Sequence, residues 1–202
     1  MGRILIALFC YWGSIALVQA QSLLILGDSL SAGYQMPVEK SWPALLQSRW
    51  QREGLAHRVI NVSISGETTQ GAVARLPSLL KEHKPDWVLI ALGGNDGLRG
   101  FPPPVTRRNL KTLIGDSQQS GAQVVLTQIR LPPNYGARYT RQFEQLYPEL
   151  AQAYRLPLLP FFLDEIALRP ELMMNDGIHP KAEAQPQIRD RVAEFLAPLL
   201  AP

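Results

Sequence analysis

The chain has 202 residues, 46% of them hydrophobic and 18% charged, with a formal net charge of +3. This is enough for one domain with a substantial core, and the composition excludes a disordered chain. No Lys/Arg run of nucleic-acid character occurs, so charge points to no nucleic acid partner.

The first twenty residues read as an export signal. Arg3 supplies a positive start, Ile4 to Val18 is apolar apart from Gly13 and Ser14, and Val18 and Ala20 stand where a signal peptidase cuts. The run is short for a membrane span, so removal is expected over retention as an anchor, leaving a single domain at residues 21–202. Cys10, the one cysteine, falls inside this segment. The mature chain would then have no disulfide, no thiol nucleophile and no cysteine metal ligand. The expected location is periplasmic or extracellular.

Leu23-Leu24-Ile25-Leu26 is an unbroken apolar run, the pattern of a strand covered on both faces, and it stops at Gly27-Asp28-Ser29. Ser41 to Glu53 has helical spacing through Trp42, Leu45, Leu46 and Trp50. Arg58 to Val62 is a second strand, followed by Ser65-Gly66 and a helix through Val73, Leu76, Leu79 and Leu80. Trp87 to Leu92 is a third strand, ending at Gly94-Asn95-Asp96. A helix over Val105 to Ser120 leads to a fourth strand, Gln123 to Thr127. A Pro/Gly-rich loop from Ile129 to Ala137, a helix over Tyr139 to Tyr154 and a short fifth strand at Leu156 to Leu159 come next. Phe161 to Leu168 holds one helical turn or two, and Pro186 opens a last helix to Leu200. Strands alternating with helices predict a doubly wound α/β fold with a five-stranded parallel sheet.

In such a sheet all carboxyl ends share one rim, where ligands bind. Gly27-Asp28-Ser29, Ser65-Gly66, Gly94-Asn95-Asp96 and Asp176-Gly177-Ile178-His179 all fall there. Of three histidines, His57 and His83 precede strands and belong to the opposite rim, with solvated structural roles expected. His179 alone lies on the carboxyl side. An alcohol nucleophile needs a base, here His179 for Ser29, and the base needs an acid to hold its tautomer. Asp176 is the nearest acid and Asp164 the alternative. Ser29 N–H, Gly66 N–H and the Asn95 amide can serve as oxyanion donors. Taken singly, Asp28 and Ser29 also suit a plain helix cap, Gly66 a turn and Asn95 a cap.

Together these blocks resemble the SGNH/GDSL hydrolase family, over most of the mature chain. Within it the exported start and Leu131-Pro132-Pro133-Asn134-Tyr135-Gly136 are most similar to the periplasmic thioesterase, lysophospholipase and arylesterase group. The resemblance implies a flavodoxin-like three-layer α/β/α sandwich. It also implies a serine hydrolase acting on small acyl esters or thioesters through an acyl-Ser29 intermediate, with Ser29, Asp176 and His179 as the catalytic set. No metal and no organic cofactor are implied, and a monomer is expected. Carbohydrate O-deacetylation is the alternative reaction, and a non-catalytic flavodoxin-like binding protein the alternative of another class. The second lacks a Gly-rich phosphate cradle after the first strand.

Overall fold

The computed structural model describes residues 20–201, so all of the expected signal segment except Ala20, Cys10 included, lies outside the described residues. The apolar run becomes β1 (Ser22–Gly27), with Leu23 to Leu26 fully buried. It is the second strand of a five-stranded sheet. Outward from it on one side lies β2 (Arg58–Asn61), and on the other β3 (Trp87–Ala91), β4 (Gln123–Thr127) and β5 (Leu158–Leu159). Every pairing is parallel, with Leu23 opposite both Val59 and Trp87. The order β2-β1-β3-β4-β5 is that of the flavodoxin-like doubly wound fold, and its strand order reverses beside β1.

Helices connect the strands: α1 (Ser29–Ala32) and α2 (Trp42–Arg52), α3 (Thr69–His83), α4 (Gly94–Leu98) and α5 (Pro103–Gln119), α6 (Ala137–Glu144) and α7 (Leu146–Tyr154), and finally α8 (Gln185–Leu200). Strand alternation sends side chains to two cores. Leu23, Ile25 and Leu89 pack with Trp42, Leu46 and Trp50 of α2 and Ile188, Val192 and Leu196 of α8. Leu24, Leu26 and Ile90 pack on the other face with Leu76, Leu110, Ile114, Phe143 and Leu150. The molecule is therefore a three-layer α/β/α sandwich.

Three expected elements differ. The helix over 139–154 is two helices that break at Gln145, because Pro148 has no N–H to offer the Glu144 carbonyl and its ring crowds that position. The released carbonyl accepts instead from Gln128 Nε2 at 3.1 Å. The fifth strand starts at Leu158 rather than Leu156, since Pro157 cannot donate to a ladder. Residues 161–168 form turns, with Asp164 N–H donating to Phe161 O at 3.1 Å and Ala167 N–H to Leu163 O at 2.7 Å. Pro186 does sit in the first turn of α8.

Candidate active site

β1 ends at Gly27, where a Cβ would come within 2.8 Å of Ser63 Oγ and 2.9 Å of Ser31 Oγ. Asp28 is the cap of α1, its Oδ1 accepting from Leu30 N–H at 3.0 Å. Ser29 is therefore the first residue of a single helical turn, set at the carboxyl end of a central strand. That turn closes at Gly33, which adopts φ 79°.

His179 arrives from the other side of the rim. The segment 173–180 folds back on itself, with Met173 bridged to Pro180 and Met174 N–H donating to His179 O at 2.8 Å. Gly177 turns the chain at φ 68°. Asp176 Oδ1 accepts from both Ile178 N–H and His179 N–H at 2.9 Å, so the backbone fixes the carboxylate before the ring meets it. Oδ2 then lies 2.7 Å from His179 Nδ1, and His179 Nε2 lies 2.8 Å from Ser29 Oγ. Partial burial tends to raise the Asp176 pKa, but the two N–H donors and the imidazole outweigh it and hold the group at about 2. Tyr34 stacks on the imidazole, ring centroids 4.2 Å apart and planes 28° from parallel. Asp164, the alternative acid, pairs instead with Arg130 at 3.1 Å.

The other expected residues converge on the same point. Gly66 stands in a tight turn after β2 at φ 80°, with Ile64 N–H donating to Gly27 O at 3.1 Å. Among the described residues, neither Ser29 N–H nor Gly66 N–H donates to a protein acceptor. Asn95, in the first turn of α4, gives its amide to Glu67 O at 3.0 Å and, more loosely, to Asp28 Oδ2 at 3.4 Å. Burial pushes the Asp28 carboxyl up to about 6, against the Leu30 N–H and the nearby His179. Asp96, fully buried, accepts from Thr69 N–H at 2.9 Å and from the Thr69 hydroxyl, which ties the start of α3 to α4.

Three features escaped the sequence. Tyr34 lies only five residues after Ser29, but nothing in an isolated aromatic announces a stacking partner 145 positions away. Arg99 reaches from the carboxyl cap of α4 to Gly66 O at 3.0 Å. His57 is on the opposite rim as expected but is buried, not solvated. Its Nδ1 accepts from Gln21 N–H at 3.2 Å and its ring meets Trp50 edge-on at 5.3 Å. Burial lowers its pKa.

A groove of about 390 Å³ runs from Ser29 and His179 between two apolar walls. Ile129, Leu131 and Pro132 form one, Phe161, Leu163 and Leu168 the other. Arg130 and Asp164 also line it. Leu131 is buried against Gly97, and Tyr135 turns away to donate to Leu98 O at 3.1 Å.

The sheet order and the cluster at its rim define the three-layer α/β/α hydrolases of SGNH type. The chain belongs to the GDSL-like lipase/acylhydrolase family, which matches it over residues 25–185. It is 55% identical over 192 residues to an arylesterase of Vibrio mimicus, a match covering 95% of each chain. It is 53% identical over 181 residues to the thioesterase 1/protease 1/lysophospholipase L1 of Escherichia coli K12, covering 90% of this chain and 86% of the relative. In structure it is similar to the psychrotrophic esterase EstA from Pseudoalteromonas sp., solved with monoethylphosphonate as inhibitor. That TM-score is 0.87, with 43% identity over 89% of this chain and 98% of that one. The chain is an ester-bond hydrolase.

Proposed function

We propose that the protein hydrolyses carboxylic esters and thioesters by acyl transfer to Ser29, with aryl esters, acyl-CoA thioesters and lysophospholipids as the substrate classes. The observation that carries this reading is the chain Asp176 Oδ2, His179 Nδ1, His179 Nε2, Ser29 Oγ, with links of 2.7 and 2.8 Å. His179 takes the Ser29 proton as Oγ attacks the acyl carbonyl, and later returns it to the leaving alcohol or thiol. Asp176 holds the ring tautomer and stabilises the imidazolium. The carbonyl oxygen, negative in the tetrahedral intermediate, receives hydrogen bonds from Ser29 N–H, Gly66 N–H and the Asn95 amide. Water then attacks the acyl-Ser29 ester by the same route. The apolar walls of the groove suit acyl chains longer than acetyl.

Residues 1–20 act as a signal that is removed, and residues 21–202 work as one monomeric domain in the periplasm or outside the cell. Small acyl substrates are the partners, with no nucleic acid. Among the described residues, no helix is long and apolar enough to cross a membrane. A fluorophosphonate should label the mature protein once, at Ser29, with complete loss of nitrophenyl ester hydrolysis. Ser29→Ala should be neither labelled nor active. Labelling at Ser31, or turnover by Ser29→Ala, overturns the assignment.

A further inference from the structure

The turn that carries Gly66 N–H is gripped by α4 at two successive carbonyls. Asn95 Nδ2 donates to Glu67 O at 3.0 Å, and Arg99 Nη2 donates to Gly66 O at 3.0 Å. Asn95 lies in α4 and Arg99 caps its carboxyl end four residues on, so the two side chains lie on the same side. We infer that Arg99 is a positioning residue for the oxyanion hole: its guanidinium holds Gly66 O, on the peptide bond that follows, and so fixes the glycine whose own N–H is aimed at the developing oxyanion. The inference rests on the reading of Gly66 N–H as an oxyanion donor.

The turn needs such a tie. Gly66 is exposed and sits at φ 80°, where glycine loses most entropy when held in place. Its neighbour Ile64 is 51% exposed, so no packing from above steadies the turn. From below, Ile64 N–H is anchored on Gly27 O and Glu67 N–H on Ile64 O, both at 3.1 Å, which leaves the Gly66 and Glu67 carbonyls to Arg99 and Asn95. The Arg99 guanidinium has no carboxylate partner among the described residues, and its one hydrogen bond is to this carbonyl. A charged donor also strengthens such a bond. Arg99 does not touch the reacting atoms; it acts through Gly66.

A donor misaimed by a fraction of an ångström loses transition-state stabilisation without losing substrate. Arg99→Ala in the mature enzyme should therefore lower kcat about tenfold for a neutral nitrophenyl ester and for an acyl-CoA alike, with both KM values within about twofold of the parent. Binding of a trifluoromethyl ketone, whose adduct carries the oxyanion, should weaken by the same factor. Arg99→Lys should recover part of the loss, and added ethylguanidinium should partly restore Arg99→Ala. The melting temperature is read for every variant, and assays are run well below the lowest value. Unchanged kcat in Arg99→Ala overturns the inference. A rise in KM confined to acyl-CoA also overturns it, since Arg99 would then be an anchor for substrate phosphates. Fluorophosphonate labelling of Ser29 in the parent is independent of either outcome, so the two readings fail separately.

Discussion

Asn95 spends its amide on the protein: one hydrogen on Glu67 O at 3.0 Å, the other loosely on Asp28 Oδ2 at 3.4 Å. The first bond is a strut that fixes the side chain, and the second is long enough to give way to a stronger acceptor. In the proposed mechanism an oxyanion is such an acceptor, whereas a neutral ester carbonyl is a poor one, so a switch of this amide would favour the transition state. Asn95→Ala should accordingly lower kcat by roughly 10²–10³ with little change in KM, the usual cost of one oxyanion donor. Single-turnover kinetics on a nitrophenyl ester will check it. A variant that keeps kcat and raises only KM would make Asn95 a substrate-binding strut. At this scale the candidate site was largely legible as a meeting point of residues, because Ser29, Gly66, Asn95, Asp176 and His179 each stand at a strand end or in a turn with a small polar signature. Tyr34 and Arg99 were not legible, since a single side chain carries no record of its long-range partner.

Among the elements, the loop after β4 holds the groove wall. Leu131 is buried against Gly97 of α4, while Pro132 and Pro133 present a stiff surface beside it. Tyr135 of the loop and Tyr139 of α6 fasten this region to α4 and the residues after it, with hydroxyls donating to Leu98 O at 3.1 Å and to Phe101 O at 2.8 Å. Of Leu131 and Tyr135 in this loop, only Leu131 lines the groove. Each buried methylene of substrate contributes up to about 0.8 kcal/mol while the walls stay closed. Leu131→Ala opens one wall, so kcat/KM should fall several-fold for octanoyl and longer nitrophenyl esters and hardly change for acetyl. Identical chain-length profiles for parent and variant would remove this wall from substrate selection. The strand positions were readable because continuous apolar runs can hardly be anything else in a chain of this class. The break at Gln145 was less so, because the apolar spacing continues through it and only Pro148 interrupts the hydrogen bonding.

For the molecule as a whole, two buried titratable groups on opposite rims pull stability in opposite directions with pH. Asp28 is raised from 3.8 to about 6 by burial at the catalytic rim, so between those values the folded chain holds a proton that the unfolded chain releases. Its contribution is full below about 3.8 and is lost as pH rises through 6, by roughly 2–3 kcal/mol at most. His57 is buried on the other rim and its pKa is lowered from 6.5, so just below 6.5 the unfolded chain takes up a proton that the folded chain refuses. Its contribution is present above 6.5 and is lost as pH falls through that window. The two slopes oppose within the range from about pH 3.8 to 6.5, Asp28 lowering the parent's stability as pH rises toward 6 and His57 raising it just below 6.5. Asp28→Asn keeps an acceptor for Leu30 N–H but cannot titrate, so its melting temperature should rise with pH across this range more steeply than the parent's. His57→Asn keeps an acceptor for Gln21 N–H, and its melting temperature should fall with pH more steeply. Asp176, held at about 2, titrates below this range and leaves the comparison undisturbed. Calorimetry at half-unit pH steps on the three proteins will decide it: parallel curves would mean that neither buried group shapes the pH dependence of folding.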